Sequence, residues 1–296
     1  MTLTRYAHRF NGIFGGKINM ASVKQLLKKT PWYEPARRMY WKAKGRPRHP
    51  LQDMPTTAGP DLVHLGTEYG GWAFLDSGNL NGCTIVSAGL GEDASFDVEF
   101  AAKYGATVII VDPTPRAIQH FEHIVSRLGH KNSCAYSPGG QQPVEAYDLS
   151  TLDQKNFVLV NKALWNENAK LKFFEPSNPK HVSHSIINYQ NEYSENTSYI
   201  EVQAVTLSEL LIELSIDPKN IPLIKLDIEG AEIEVLTQCI SDGIKPEQIL
   251  VEFDELNVPS LRGFERVSQI HELLSQSGYE MMRTDGAADF LYVKNQ

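Results

Sequence analysis

Thr84-Ile85-Val86-Ser87-Ala88-Gly89-Leu90-Gly91-Glu92-Asp93 is the stretch on which the reading of this chain turns. It is a short apolar run that enters a glycine turn and leads at once into a helical pattern. Paired glycines let the backbone come close to a ligand, and the helix that follows offers unpaired N–H groups. A second apolar run, Thr107-Val108-Ile109-Ile110-Val111, ends in Asp112. The interval of about twenty residues matches the strand–helix–strand–acid layout of a nucleotide or nucleoside cofactor site.

Working outward, the same alternation persists to the end of the chain. The first strand spans 83–88, and its continuous apolar run predicts burial on both faces. A helix is expected from Asp93 to Tyr104, stopped by Gly105, then strand 107–111. Pro115 suits the first position of a helix that runs to about Leu128, with Ile118, Phe121, Val125 and Leu128 inward. Residues 132–153 read as loop, and 157–160 as the third strand. Runs 171–174 and 199–202 read as strands that pair, separated by a long polar excursion containing His181, His184 and Ser185. Thr206 and Glu209 form a capping box for a helix over 206–216. Strand 222–227 ends in Asp227, and Ile228-Glu229-Gly230-Ala231-Glu232 turns into a helix carrying Val235, Leu236 and Ile240. Strand 248–253 is followed by Asp254 and Glu255, and helix 261–277 stops at Gly278. Strands 279–284 and 288–293 flank Asp285-Gly286, a hairpin turn. The expected fold is α/β, doubly wound, with a mainly parallel sheet and a closing antiparallel hairpin.

Ahead of this lies a different kind of sequence. Residues 1–50 hold 12 Lys and Arg against one acid, Glu34, a balance of +11, while residues 51–296 carry −19 within a whole-chain charge of −8. The division expected is a basic, aromatic extension over 1–60 and a catalytic domain over 61–296, with the proline-rich stretch 45–60 as strap. Two readings of the extension stand side by side: a helical lid packed on the domain, or a surface that docks on anionic lipid or an acidic partner. Nucleic acid is not expected, because the acidic remainder repels phosphate. Cys83, Cys134 and Cys239 are widely separated, which argues against disulfides and cysteine zinc sites and for a reducing, cytoplasmic setting. No secretory leader and no apolar run of about 20 residues is read in the chain.

Ligands of an open parallel sheet sit at the carboxyl ends of its strands. Four strands here end in acids or glycine turns: Gly89-Gly91-Asp93, Asp112, Asp227-Glu229 and Glu252-Asp254. A dinucleotide suits Gly89-x-Gly91-x-x-Ala94 but not Glu92 and Asp93 beside its phosphates. S-adenosylmethionine carries an ammonium and a sulfonium, and acids suit it. Asp112 is placed to accept from ribose hydroxyls. Lys225, inside a buried strand, is expected in a structural ion pair. No Asn/Asp-Pro-Pro-Tyr/Phe tetrapeptide follows strand 222–227 and no Pro-Cys dipeptide occurs, which weighs against nucleobase methylation.

Three segments, Val86–Asp97, Asp112-Pro113-Thr114-Pro115 and Leu223-Ile224-Lys225-Leu226-Asp227-Ile228-Glu229-Gly230-Ala231-Glu232, together resemble the FkbM family of S-adenosylmethionine-dependent methyltransferases. The resemblance covers roughly residues 60–296 and implies a seven-stranded, Rossmann-like class I methyltransferase sheet whose last strand is antiparallel. It implies O-methylation of a hydroxyl on a glycan, glycoconjugate or small metabolite. By position, Gly89, Gly91 and Asp93 hold the methionine end, Asp112 the ribose, and Ala163 lies near the adenine. Ser87 and Glu92 complete the candidate cofactor-binding set; many members carry an acid where Ser87 stands, and Glu92 or Asp93 substitutes for it at the amino group. Candidates for proton removal from the acceptor are Asp227, Glu229 and His184, and no metal is expected. A nicotinamide-dependent oxidoreductase is the alternative, although Tyr189, Tyr193 and Tyr199 lack the lysine four residues on. A non-catalytic cofactor-binding module is the other.

Overall fold

The structure is a computed structural model that describes residues 47–55, 61–174, 198–257 and 259–295. The chain divides into two compact units, Met1–Arg48 and His49–Gln296, and all the elements below belong to the second. Of the extension expected over 1–60, as a lid or a docking surface, residues 1–46 and 56–60 lie outside the described residues, as does the polar excursion with His184.

Seven strands form the main sheet: β3 (Thr84–Ala88), β4 (Thr107–Val111), β5 (Phe157–Val160), β9 (Leu223–Leu226), β10 (Gln248–Glu252), β11 (Tyr279–Thr284) and β12 (Asp289–Lys294). Their order is β11-β12-β10-β9-β3-β4-β5, with β12 antiparallel to both its neighbours and the rest parallel. The central strands β3, β4 and β9 are nearly uniformly buried, and β3 and β4 are rich in β-branched residues, as required of a sheet covered on both faces. The order of strands reverses between β3 and β9, which pair as Val86↔Ile224, Ser87↔Lys225 and Ala88↔Leu226. That reversal opens a crevice at the strands' carboxyl ends.

Among the described residues five helices cover the sheet: α1 (Ser95–Tyr104), α2 (Pro115–Ser126), α3 (Leu207–Glu213), α4 (Glu232–Ser241) and α5 (Leu261–Gln276). The pleat divides the strand residues between two cores. Val86, Ala88, Ile224 and Leu226 face α3, α4 and α5, while Ile85, Val108, Ile110 and Leu223 face α1 and α2. A hairpin of β1 (Leu62–Leu65) and β2 (Trp72–Leu75) completes the second face. Phe74 of β2 is fully buried there, with ring centroids 5.4 Å from Phe100 and 6.1 Å from Phe96. The buried amide of Gln248 brackets the Leu75 backbone, accepting from its N–H and donating to its carbonyl at 2.8 Å each.

The expected elements recur with three differences. Helix α1 begins at Ser95, so Glu92 and Asp93 precede it and Asp97 is the acid of its first turn. Helix α2 buries Ala117, His120, Phe121 and Ile124; of the expected stripe Phe121 is buried and Val125 and Leu128 pack partly buried on the same core, while His120 joins the buried face with the Tyr147 hydroxyl as partner at 2.8 Å. The paired strands, β7 (Ala169–Phe174) and β8 (Tyr199–Val205), belong to a separate three-stranded sheet completed by β6 (Ala163–Leu164). Ahead of β1, His49 caps a 3-10 turn at Pro50–Asp53 that packs on the domain: Leu51 is buried, and Gln52 donates to the Ala287 carbonyl at 2.6 Å. Among the described residues no helix is long and apolar enough to cross a membrane.

Candidate functional site

At the β3–α1 turn, Gly89 has φ 86° and Gly91 φ 56°, values that L side chains rarely adopt. A Cβ on Gly89 would lie 1.8 Å from the Asp227 carbonyl oxygen, so β9 can approach this turn only if the residue is glycine. The Asp112 carboxylate braces the turn from β4. One oxygen accepts from the N–H groups of Leu90 and Gly91 at 2.9 and 3.1 Å; the other accepts from the N–H and hydroxyl of Thr114. The stretch read as loop supplies further support. Tyr147 accepts from the Ala94 N–H at 3.0 Å, and Gln142 donates to Asp93 and, through its backbone, to the Glu92 carbonyl. Nothing in the local pattern of 132–153 marks these residues, because their partners lie dozens of positions away.

A cavity of about 650 Å³ opens at the strand reversal, within the size range of small-molecule sites. Gly89, Gly91, Glu92, Asp93, Asp112, Ala163, Asp227 and Glu229 all line it, so the structure gathers these sequence candidates at one place. Ser87 does not line it. Strand alternation turns Ser87 toward α1, fully buried, where its hydroxyl lies beside the Asp97 carboxyl. Its assignment to the cofactor is therefore corrected: it stands inside the core. Glu92 is also less available than expected, since its carboxylate meets Arg116 at 2.5 Å and Gln141 at 2.9 Å. Asp93 has both oxygens engaged, by the Ser95 N–H and by the Thr67 hydroxyl and Gln142 amide.

Across the cavity stand acids that the sequence reading placed only as strand ends or not at all. Glu252 of β10 pairs in register with Asp289 of β12, and both carboxyls line the cavity. Burial, and then the charge of Asp227, raises the Glu252 pKa well above its ordinary value. Burial, and then Asp285 and Asp227, does the same to Asp289. Asp289 was legible as a hairpin residue, but its place opposite Glu252 follows from strand register alone. Glu232, fully buried, accepts from the N–H groups of Ile228 and Gly230 and so shapes the turn in which Glu229 adopts φ 55°. Lys225 forms no ion pair among the described residues, contrary to expectation; its ammonium donates to the Gly89 carbonyl. Tyr69 stands at the cavity mouth against Gly140, where a Cβ would meet its ring at 2.3 Å. Its hydroxyl pKa is pushed up to about 12, by the crowding of protein around it and then by Asp227, Glu229, Glu252 and Asp93, although 65% of its surface faces solvent. Among the described residues no group of three or more His, Cys, Asp or Glu is arranged to hold a metal ion.

A family model described as the methyltransferase FkbM domain matches residues 80–281. No curated protein matches the chain in sequence. Several solved structures align with part of the chain. Fibrillarin from Methanococcus jannaschii, described as a pre-rRNA processing protein, is 10% identical over 74% of this chain and 69% of its own, with a TM-score of 0.35. TYW2 from M. jannaschii, solved in complex with AdoMet, is 8% identical over 82% and 90%, with a TM-score of 0.30. The 16S rRNA (adenine(1408)-N(1))-methyltransferase from Catenulisporales acidiphilia is 14% identical over 73% and 89%, with a TM-score of 0.32. Likenesses at these scores bear on neither acceptor nor mechanism.

Proposed function

The chain belongs to the FkbM methyltransferase family, and on that premise we propose that it transfers a methyl group from S-adenosyl-L-methionine to a hydroxyl of a glycan, glycoconjugate or small metabolite. The observation that carries this reading is the cavity at the strand reversal, where a glycine turn without room for a Cβ faces a wall rich in carboxylates. Such a wall fits a cationic donor and opposes a pyrophosphate. S-adenosylmethionine brings a methyl group already activated on a sulfonium. The chain has to hold donor and acceptor in line, exclude water and take the acceptor's proton.

Gly89, Gly91 and Asp93 would border the methionine end, Asp112 the ribose and Ala163 the adenine. Asp227 is anchored at the end of β9 by its N–H, which donates to the Ala88 carbonyl at 3.1 Å. Asp227 and Glu229 stand at the acceptor side, and we assign proton removal to this pair. The acidic lining also opposes phosphate-bearing acceptors, so nucleic acid is not among the acceptors we propose.

Calorimetry and a labelled-donor assay test the reading together. The protein is expected to bind S-adenosylmethionine, and Asp227→Asn or Glu229→Gln to retain binding while lowering transfer by about 10²–10⁴-fold. Labelled donor incubated with cell extract should mark a glycan or small-metabolite fraction. Label appearing in RNA would overturn the acceptor class, and binding of NAD in place of S-adenosylmethionine would overturn the donor.

A further inference from the structure

Lys225 sits in the middle of the sheet with 4% of its surface exposed, yet it lines the cavity. Its hydrogen bond to the Gly89 carbonyl aims the ammonium at the glycine turn, and the Trp72 ring, 5.9 Å away, flanks it. The charge of Lys225 acts on Asp97 and Asp289, but neither is within ion-pair distance of it. Burial raises the pKa of both, which works against a full countercharge on either.

A buried ammonium without a counter-ion is a costly arrangement for a chain to keep. It carries three donors, and Gly89 takes one. Among the described residues that line the cavity, Lys225 is the one cation. A ligand that carries both positive charge and a carboxylate therefore finds many acids for the first and this lysine for the second.

We propose that Lys225 is the counter-ion for the carboxylate at the amino-acid end of the methyl donor. The proposal deepens, and rests on, the assignment of S-adenosylmethionine as donor. It places the methionine carboxylate at the β3–β9 reversal, where the Gly89 carbonyl and the Lys225 ammonium already meet. The acids around them are left to the ammonium and sulfonium of the same ligand. Lys225 then sets both the grip on the donor and the shape of the glycine turn.

The test compares two ligands on the full chain. Decarboxylated S-adenosylmethionine keeps the sulfonium and the terminal amine but lacks the carboxylate. By calorimetry, wild type should bind S-adenosylmethionine about tenfold or more tighter than the decarboxylated ligand. Lys225→Met should lose that preference, weakening the first ligand about tenfold while moving the second by less than about threefold. Lys225→Arg should restore part of the preference. A purely structural lysine would weaken both ligands alike in the methionine variant, and that result, or equal binding of both by wild type, overturns the proposal while leaving the donor assignment intact. Failure of wild type to bind either ligand overturns the donor assignment, and this proposal with it. If Lys225→Met does not fold, Lys225→Gln takes its place in the comparison with the same expected loss of preference, and equal binding of both ligands by wild type still overturns the proposal.

Discussion

Gly89 bears two constraints at once: a left-handed backbone and contact with the Asp227 carbonyl at a distance that excludes a side chain. Gly89→Ala is therefore expected to destabilise the fold by about 2 kcal/mol or more, and to abolish donor binding even where the protein remains folded. Urea unfolding and calorimetry on the same preparation check both. An alanine variant with unchanged midpoint and affinity would mean that β9 does not approach the turn as described. Asp112 acts at the same scale. Its oxygens accept from two turn N–H groups and from Thr114, so its removal loosens the turn before any ligand is considered. Asp112→Ala should cost about 2–4 kcal/mol of stability as well as donor affinity, because several buried donors lose their partner together. The glycines and Asp112 were legible as a site from spacing. Their mutual bracing was not, since spacing carries no information about which oxygen meets which N–H.

Between elements, the β10–β12 pairing sets two carboxyls opposite each other, Glu252 and Asp289, and burial raises the pKa of each. Both bind their proton more tightly in the folded chain than in the unfolded one. The associated stability is complete below the ordinary carboxylate values of 4.5 and 3.8, and is lost as pH rises through the elevated folded values. Glu252→Gln should accordingly raise the melting temperature at pH 8 relative to wild type and flatten its decline from pH 5 upward. Parallel melting profiles for the two proteins would show that the pair does not titrate in this way. Helix α5 offers a simpler case. Ser260 accepts from the Gly263 N–H at 2.9 Å, so Ser260→Ala should cost about 1 kcal/mol, read as a shift in the unfolding midpoint. The elements themselves were readable because their patterns are local: apolar period, glycine stops and capping residues lie within one segment. Helix α2 shows the limit, for its buried face includes His120, whose partner Tyr147 lies in a loop.

For the molecule as a whole, the second unit begins with residues that pack on it. A chain starting at His49 should unfold cooperatively with its own core. One starting at residue 61 loses the buried Leu51 and the Gln52–Ala287 bond, and should be less stable by about 2–4 kcal/mol. Equal stability of the two truncations would assign the 3-10 turn to the extension instead. What the sequence determined unaided was the succession of strands and helices, the glycine turn and the acids at strand ends, because each depends on neighbours within a few residues. The tertiary structure alone decided which strands lie side by side and how their pleats are phased. That phase buries Ser87 against α1, brings Lys225 to the Gly89 carbonyl with no paired acid among the described residues, and sets Glu252 across from Asp289. A side chain's face follows from its strand's register, and register is settled by pairing with strands distant in the chain.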